Sequence, residues 1–120
     1  MAINIRYIVD DVERAIEFYR DLLGFTLEMH PAPGFAALSK DGCRLYINLS
    51  GAGGGGTAGG RPEPGGWNRF QVGVDDLDSL EERLRSAGVT FRGERVSGRG
   101  GDQILVEDPS GNPVEIFQPH

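Results

Sequence analysis

Ile3, Ile5, Tyr7 and Val9 alternate with Asn4, Arg6 and Ile8. A period of two sends the two sets to opposite faces of a strand, so the pattern predicts a strand over residues 2–9. The period then changes. From Asp11 onward Val12, Ala15, Ile16, Tyr19, Leu22 and Leu23 recur at helical spacing, which predicts an amphipathic helix over about residues 12–23, with Asp11 as its N-cap and Gly24 as its stop. Phe25–Met29, Phe35–Ser39 and Cys43–Leu49 read as three further strands, because Pro31-Ala32-Pro33-Gly34 and Asp41-Gly42 between them favour tight turns. Residues 2–49 thus form one βαβββ module.

The order restarts further along. Trp67–Val74 reads as a strand, and Asp76 caps a helix carrying Leu77, Leu80, Leu84 and Ala87 before Gly88 ends it. Val89–Ser97, Gln103–Glu107 and Pro113–Gln118 supply three strands, the last two joined by the turn Asp108-Pro109-Ser110-Gly111-Asn112. Val9-Asp10-Asp11 maps on Val74-Asp75-Asp76 at an offset of 65, the segment from Leu23 to Thr26 maps on Ala87 to Thr90 at an offset of 64, and Asp41-Gly42 matches Ser110-Gly111. Three landmarks in one order inside one element sequence mark an internal repeat, with residues 67–118 as the second βαβββ module. The fold class is α+β.

Residues 50–66 separate the copies with nine glycines, two prolines and almost no apolar side chain. Such a composition predicts a mobile linker with no packed conformation. A phosphate loop is the competing reading of a glycine tract, but this one leads into a predicted strand and has no Lys-Ser/Thr sequel.

Composition narrows the function classes. A chain of 120 residues with 38% hydrophobic side chains fits one domain. The net charge of -6 argues against nucleic acid, whose phosphates need a basic face. No segment approaches the roughly 20 apolar residues of a bilayer span, and the N-terminus has no basic region leading into an apolar run, so the expected location is cytoplasmic and no membrane partner is expected. Cys43 stands alone and reads as strand packing. His30, beside prolines in a turn, and the terminal His120 read as solvated.

The segment from Val9-Asp10-Asp11-Val12 through Ala15-Ile16-Glu17-Phe18-Tyr19-Arg20-Asp21-Leu22-Leu23-Gly24-Phe25, together with Asp108-Pro109-Ser110-Gly111-Asn112-Pro113-Val114-Glu115, resembles the vicinal oxygen chelate superfamily of glyoxalases, bleomycin-resistance proteins, fosfomycin-resistance enzymes and extradiol dioxygenases. The resemblance implies that each module forms half of a curved mixed sheet around a ligand-binding cleft, and that the chain works as a homodimer. In metal-dependent members four inward positions related by the repeat hold a divalent ion, which polarises a substrate with neighbouring oxygens. Counting back seven residues from each helix-capping Asp places those positions on Asn4 and Arg69, and counting from the turn glycines places them on Tyr46 and Glu115. Only Glu115 is a good ligand for Zn, Ni, Mn or Fe. With these substitutions, Arg69 and Glu115 are expected to pair bidentately where the ion would sit, either to orient a ligand with Asn4 and Tyr46 or simply to satisfy the buried charge left by a lost metal.

Asn4, Tyr46, Arg69 and Glu115, with Trp67 after the linker and Phe35 after the Pro/Gly turn, are therefore the expected ligand-binding residues. Aromatic walls suit flat apolar ligands. The expected function is a metal-free, cofactor-free binding protein that sequesters an antibiotic or aromatic metabolite. The alternative is a glyoxalase-like lyase or isomerase, or an extradiol-type dioxygenase, with a divalent metal held partly by Glu115, or with Glu115 as a base.

Overall fold

In a computed structural model describing residues 1–120, the opening alternation becomes β1 (Asn4–Val9). Asp11 then caps α1 (Val12–Glu17), its Oδ1 accepting from the Arg14 N–H at 3.0 Å, which satisfies one of the amides that a helix start leaves without a partner. The expected single helix over 12–23 changes character at Phe18, where a π-helical turn covers Phe18–Leu22. Phe18 and Tyr19 are adjacent yet both buried, and a widened i→i+5 turn accommodates two bulky neighbours on the core side. Tyr19 meets Phe18 and Phe25 edge to face, with ring centroids 4.9 and 5.6 Å away, an arrangement favoured by the ring quadrupoles.

Three strands follow: β2 (Thr26–Ala32), β3 (Phe35–Lys40) and β4 (Cys43–Leu49). The sheet order is β1-β4-β3-β2, with β1 parallel to β4 and the other pairs antiparallel. Leu45 and Ile47 of β4 are fully buried, as are Ala36 and Leu38 of β3, and α1 packs against both strands through Val12, Ala15 and Ile16.

After a short helix α2 (Gly53–Thr57), the second copy repeats the plan with β5 (Gln71–Gly73), α3 (Leu77–Ser86), β6 (Val96–Ser97), β7 (Gly101–Glu107) and β8 (Pro113–Pro119). Its sheet order is β5-β8-β7-β6, again with the first strand parallel to the last. Asp76 caps α3 by accepting from the Ser79 N–H at 3.0 Å. Leu77, Leu80 and Leu84 pack over Ile104, Val106, Val114 and Ile116. The chain divides into two compact units, Met1–Gly65 and Gly66–His120, each with a hydrophobic core. The fold class is α+β with two modules, as expected, and no helix is long and apolar enough to cross a membrane.

Four expectations need correction. The glycine tract is not structureless: Gly53–Thr57 forms α2, Gly56 is buried, and the Gly51 N–H donates to the Gly56 carbonyl at 2.7 Å. A Cβ on Gly56 would collide with the Leu49 carbonyl, so the absence of side chains allows close backbone packing. The strand expected over Trp67–Val74 is laddered only at Gln71–Gly73. The residues ahead of it leave the sheet, with Gly66 at φ +92°, and are held by side-chain contacts described below. The strand expected over Val89–Ser97 is reduced to an isolated bridge between Phe91 and Val106 and the two residues of β6. Gly93 at φ +73° turns the chain between them. Finally, His30 is not in a solvated turn: it lies in β2 with its Nδ1 3.4 Å from Glu13 of α1.

Candidate functional site

In the second unit, the parallel register of β5 on β8 sets Gln71 beside Glu115, and the Glu115 N–H donates to the Phe70 carbonyl at 3.1 Å. Arg69, two residues ahead of Gln71, reaches the same carboxylate. Its Nε and Nη2 both approach Glu115 Oε1, at 3.0 and 2.9 Å, and Gln71 Nε2 donates to Oε2 at 2.5 Å. The expected bidentate pairing is thus modified: the guanidinium grips one oxygen because Gln71 occupies the other. The Glu115 side chain is 14% exposed, so it meets a charge and an amide in a setting where such bonds are stronger than in open water.

Trp67 joins this group through its backbone, the carbonyl accepting from Arg69 Nη1 at 3.4 Å. Its indole is 70% exposed, with the Arg92 guanidinium 4.7 Å from the ring centroid. Arg92 donates from Nε to Glu107 at 2.7 Å, from Nη1 to the Gly66 carbonyl at 2.6 Å and from Nη2 to the Gly111 carbonyl at 2.9 Å. One side chain therefore fastens the start of the unit to β7 and to the β7–β8 turn. Because Trp67 is the single tryptophan, Arg92→Ala is expected to lower its fluorescence anisotropy and to reduce stability by about 1–2 kcal/mol, the usual scale of a few charge-assisted hydrogen bonds and one cation–π contact at a partly exposed site. Unchanged anisotropy with an unchanged unfolding midpoint would show that the clasp holds nothing in place.

In the first unit, the β1–β4 register pairs Arg6 with Tyr46 and Asn4 with Arg44. The Phe35 and Tyr46 rings lie 5.8 Å apart, and the Arg6 guanidinium stands 5.1 Å from the Tyr46 centroid. The Arg44 guanidinium donates a hydrogen bond to the Tyr46 side chain, which pushes the Arg44 pKa up from its already high ordinary value. Arg6 Nη1 donates to Asn48 Oδ1, and Asn48 Nδ2 donates to the Ala52 carbonyl at 3.4 Å. Asn48, 3% exposed, so connects β1 to the glycine tract. Beside this chain lies a cavity of about 400 Å³ lined by Arg6, Ala32, Gly34, Phe35, Asn48, Ala52 and Gly53 to Gly55.

The six expected residues fall three to each unit. Phe35 meets Tyr46, and Arg69 meets Glu115 and the Trp67 backbone, whereas Asn4 is exposed and makes no side-chain hydrogen bond. Sequence reasoning missed Arg6, Asn48, Gln71 and Arg92. Three of these carried a signal: Arg6, Asn48 and Gln71 each stand two residues beyond a named position, Asn4, Tyr46 and Arg69, and therefore on the same face of the strand expected there.

Comparison with known proteins bears on this arrangement. The Glyoxalase/Bleomycin resistance protein/Dioxygenase superfamily matches residues 3–116. The chain belongs to this superfamily. Among curated superfamily relatives, a bleomycin resistance protein from Geobacillus stearothermophilus is 28% identical over 120 residues, covering 92% of this chain and 90% of the relative. A glutathione transferase FosA from Serratia marcescens is 26% identical over 118 residues, covering 90% and 73%. Among solved structures, a glyoxalase-related enzyme from Fulvimarina pelagi superposes with a TM-score of 0.82 at 20% identity, covering 98% of this chain and 87% of that one, a likeness of fold.

Glyoxalase-superfamily membership makes a divalent ion the group to test against these residues. Asn4, Tyr46, Arg69 and Glu115 supply an amide, a phenol, a guanidinium and one carboxylate, and nowhere in the chain do three His, Cys, Asp or Glu side chains gather as a set that could hold a metal. A guanidinium cannot deprotonate to become a ligand. Here it is bonded to the one carboxylate of the set. These donors do not fit a divalent ion.

Proposed function

We propose that this glyoxalase-superfamily protein is a metal-free binding protein that sequesters an antibiotic or aromatic metabolite, working as a homodimer in the cytoplasm. The observation that carries the reading is the ion pair of Arg69 with Glu115, which puts a fixed positive charge of the protein's own on the only good ligand of the four positions. Sequestration needs shape, apolar walls and a few polar anchors, and no nucleophile or base. The rings of Phe35, Tyr46 and the exposed Trp67 are of that kind. The alternative, an enzyme using Glu115 as base or metal ligand, is less well supported, because both carboxylate oxygens already accept hydrogen bonds, from Arg69 and from Gln71.

Purified protein soaked in turn with Ni, Zn, Mn and Fe and then desalted is expected to retain far less than one ion per chain by elemental analysis. A thermal-shift screen against bleomycin and a panel of aromatic metabolites is expected to yield at least one stabilising compound, since a ligand at a hundred times its Kd adds about 2.7 kcal/mol to the native state. Stoichiometric retention of one metal overturns the metal-free reading, and a screen in which nothing stabilises the chain overturns the binding reading.

A further inference from the structure

We infer that the cavity beside Arg6 takes the oxyanion end of a small organic acid, with its carboxylate or phosphonate on the Arg6 guanidinium and its apolar body against Phe35 and Ala32. This deepens the small-molecule reading and rests on it. Three observations converge. The first is the charge of the lining. In a chain of net charge -6, the cavity has one guanidinium, one amide and no carboxylate on its walls, so its local sign is opposite to that of the protein as a whole.

The second is the unused bonding capacity of Arg6. A guanidinium has five N–H donors in a planar fork that suits two oxygens of one anion. Arg6 gives one to the Asn48 amide and lays its face by the Tyr46 ring, and it has no acidic partner. Asn48, tied in turn to the Ala52 carbonyl, orients the fork without neutralising it. Arg69 and Arg92 instead have carboxylate partners in Glu115 and Glu107.

The third is a glycine whose presence the backbone does not explain. Gly55 lies in α2 without a positive φ, so its conformation would accept alanine. A Cβ there would, however, overlap the Arg6 guanidinium. The wall is bare at the point where the guanidinium rests, and a cavity of about 400 Å³ lies within the range that holds small organic ligands.

The test uses the full chain and four probes of one size: benzoate, phenylphosphonate, neutral benzyl alcohol and cationic benzamidinium, titrated by isothermal calorimetry and by two-dimensional NMR. Benzoate and phenylphosphonate are expected to bind saturably, shifting the amides of Gly53 to Gly55 and Phe35, and at least about tenfold more tightly than the other two, the scale set by one charge-assisted hydrogen-bonded pair. Arg6→Gln is expected to remove that preference with the circular dichroism spectrum unchanged, and Arg6→Lys to retain part of it. Gly55→Ala keeps the charge but displaces the fork, and is expected to weaken both anions, which nonspecific attraction to a cation would not reproduce. Equal binding of benzamidinium, shifts located elsewhere, or an Arg6→Gln variant within about twofold of the parent overturns the inference. If no anion binds while an aromatic metabolite or bleomycin still stabilises the protein, the inference falls alone; if nothing of any charge binds, the function proposed above falls with it.

Discussion

Asp108→Ala is expected to lower the free energy of unfolding by about 3 kcal/mol, one of the two largest losses anticipated from a single substitution in this chain. Asp108 is 3% exposed, and its carboxylate holds the β7–β8 turn together. Oδ1 accepts from the Ser110 and Asn112 backbone N–H groups, each at 2.9 Å, and Oδ2 accepts from Asn112 Nδ2 at 3.0 Å. Alanine leaves these donors without their acceptor, and Asn112, itself 4% exposed, has little access to water in exchange. An unpaired buried donor costs about 1–3 kcal/mol. Asp108→Asn separates the causes, because its side-chain oxygen can still serve both backbone amides while its NH2 faces the Asn112 NH2. Urea denaturation is therefore expected to rank the parent above Asn, and Asn above Ala. Equal midpoints for all three would show that the turn does not depend on the carboxylate.

Leu38→Ala is the second, with an expected loss of about 2–5 kcal/mol. Leu38 is fully buried at the centre of β3, flanked across the ladder by Leu27 of β2 and Leu45 of β4. Removing its isobutyl group forfeits the transfer free energy and leaves a void between strands whose hydrogen bonds prevent collapse. Leu38→Met, which roughly conserves volume, is expected to cost less than about 1.5 kcal/mol. An alanine variant as stable as the methionine variant would mean that the sheet repacks freely around this position.

The parts of the fold that were readable in the sequence are those decided locally. Asp11 and Asp76 act as N-caps because a short acceptor ahead of an apolar 3.6-residue period has one good use, and both accept from the amide three residues on. Asp41-Gly42 and Asp108 to Asn112 are turns because their residue types permit the required backbone, Gly42 at φ +81° and Gly111 at φ +87°. The repeat then carried the strand order from one copy to the other, and its spacing located Arg69 and Glu115 on one carboxylate-centred cluster.

What escaped was long-range. Trp67 to Phe70 has the apolar and aromatic content of a strand, but Arg92, Glu107 and Gly111, far along the chain, draw its start out of the ladder. Residues 89–97 have strand-forming side chains, yet a bend at Gly93, with φ +73°, interrupts their antiparallel pairing with β7. Alternation places Arg6 and Asn48 on the faces of Asn4 and Tyr46, but their pairing is a hydrogen bond across 42 residues that no local pattern encodes. In each case the deciding partner was distant in sequence, so neither periodicity nor propensity carried it.

The glycine tract has a consequence for how substitutions spread along it. Gly54 has an unremarkable φ and no atom within 4 Å of a would-be Cβ, so packing leaves room for a side chain there, at the expense of the cavity it lines. Gly55 is adjustable, since its obstacle is the end of a flexible arginine. Gly56 faces the Leu49 main-chain oxygen, which cannot step aside, and is closed. Three consecutive identical residues thus range from sterically open through conditionally replaceable to fixed, and a low-complexity run conceals a graded constraint that its composition does not reveal.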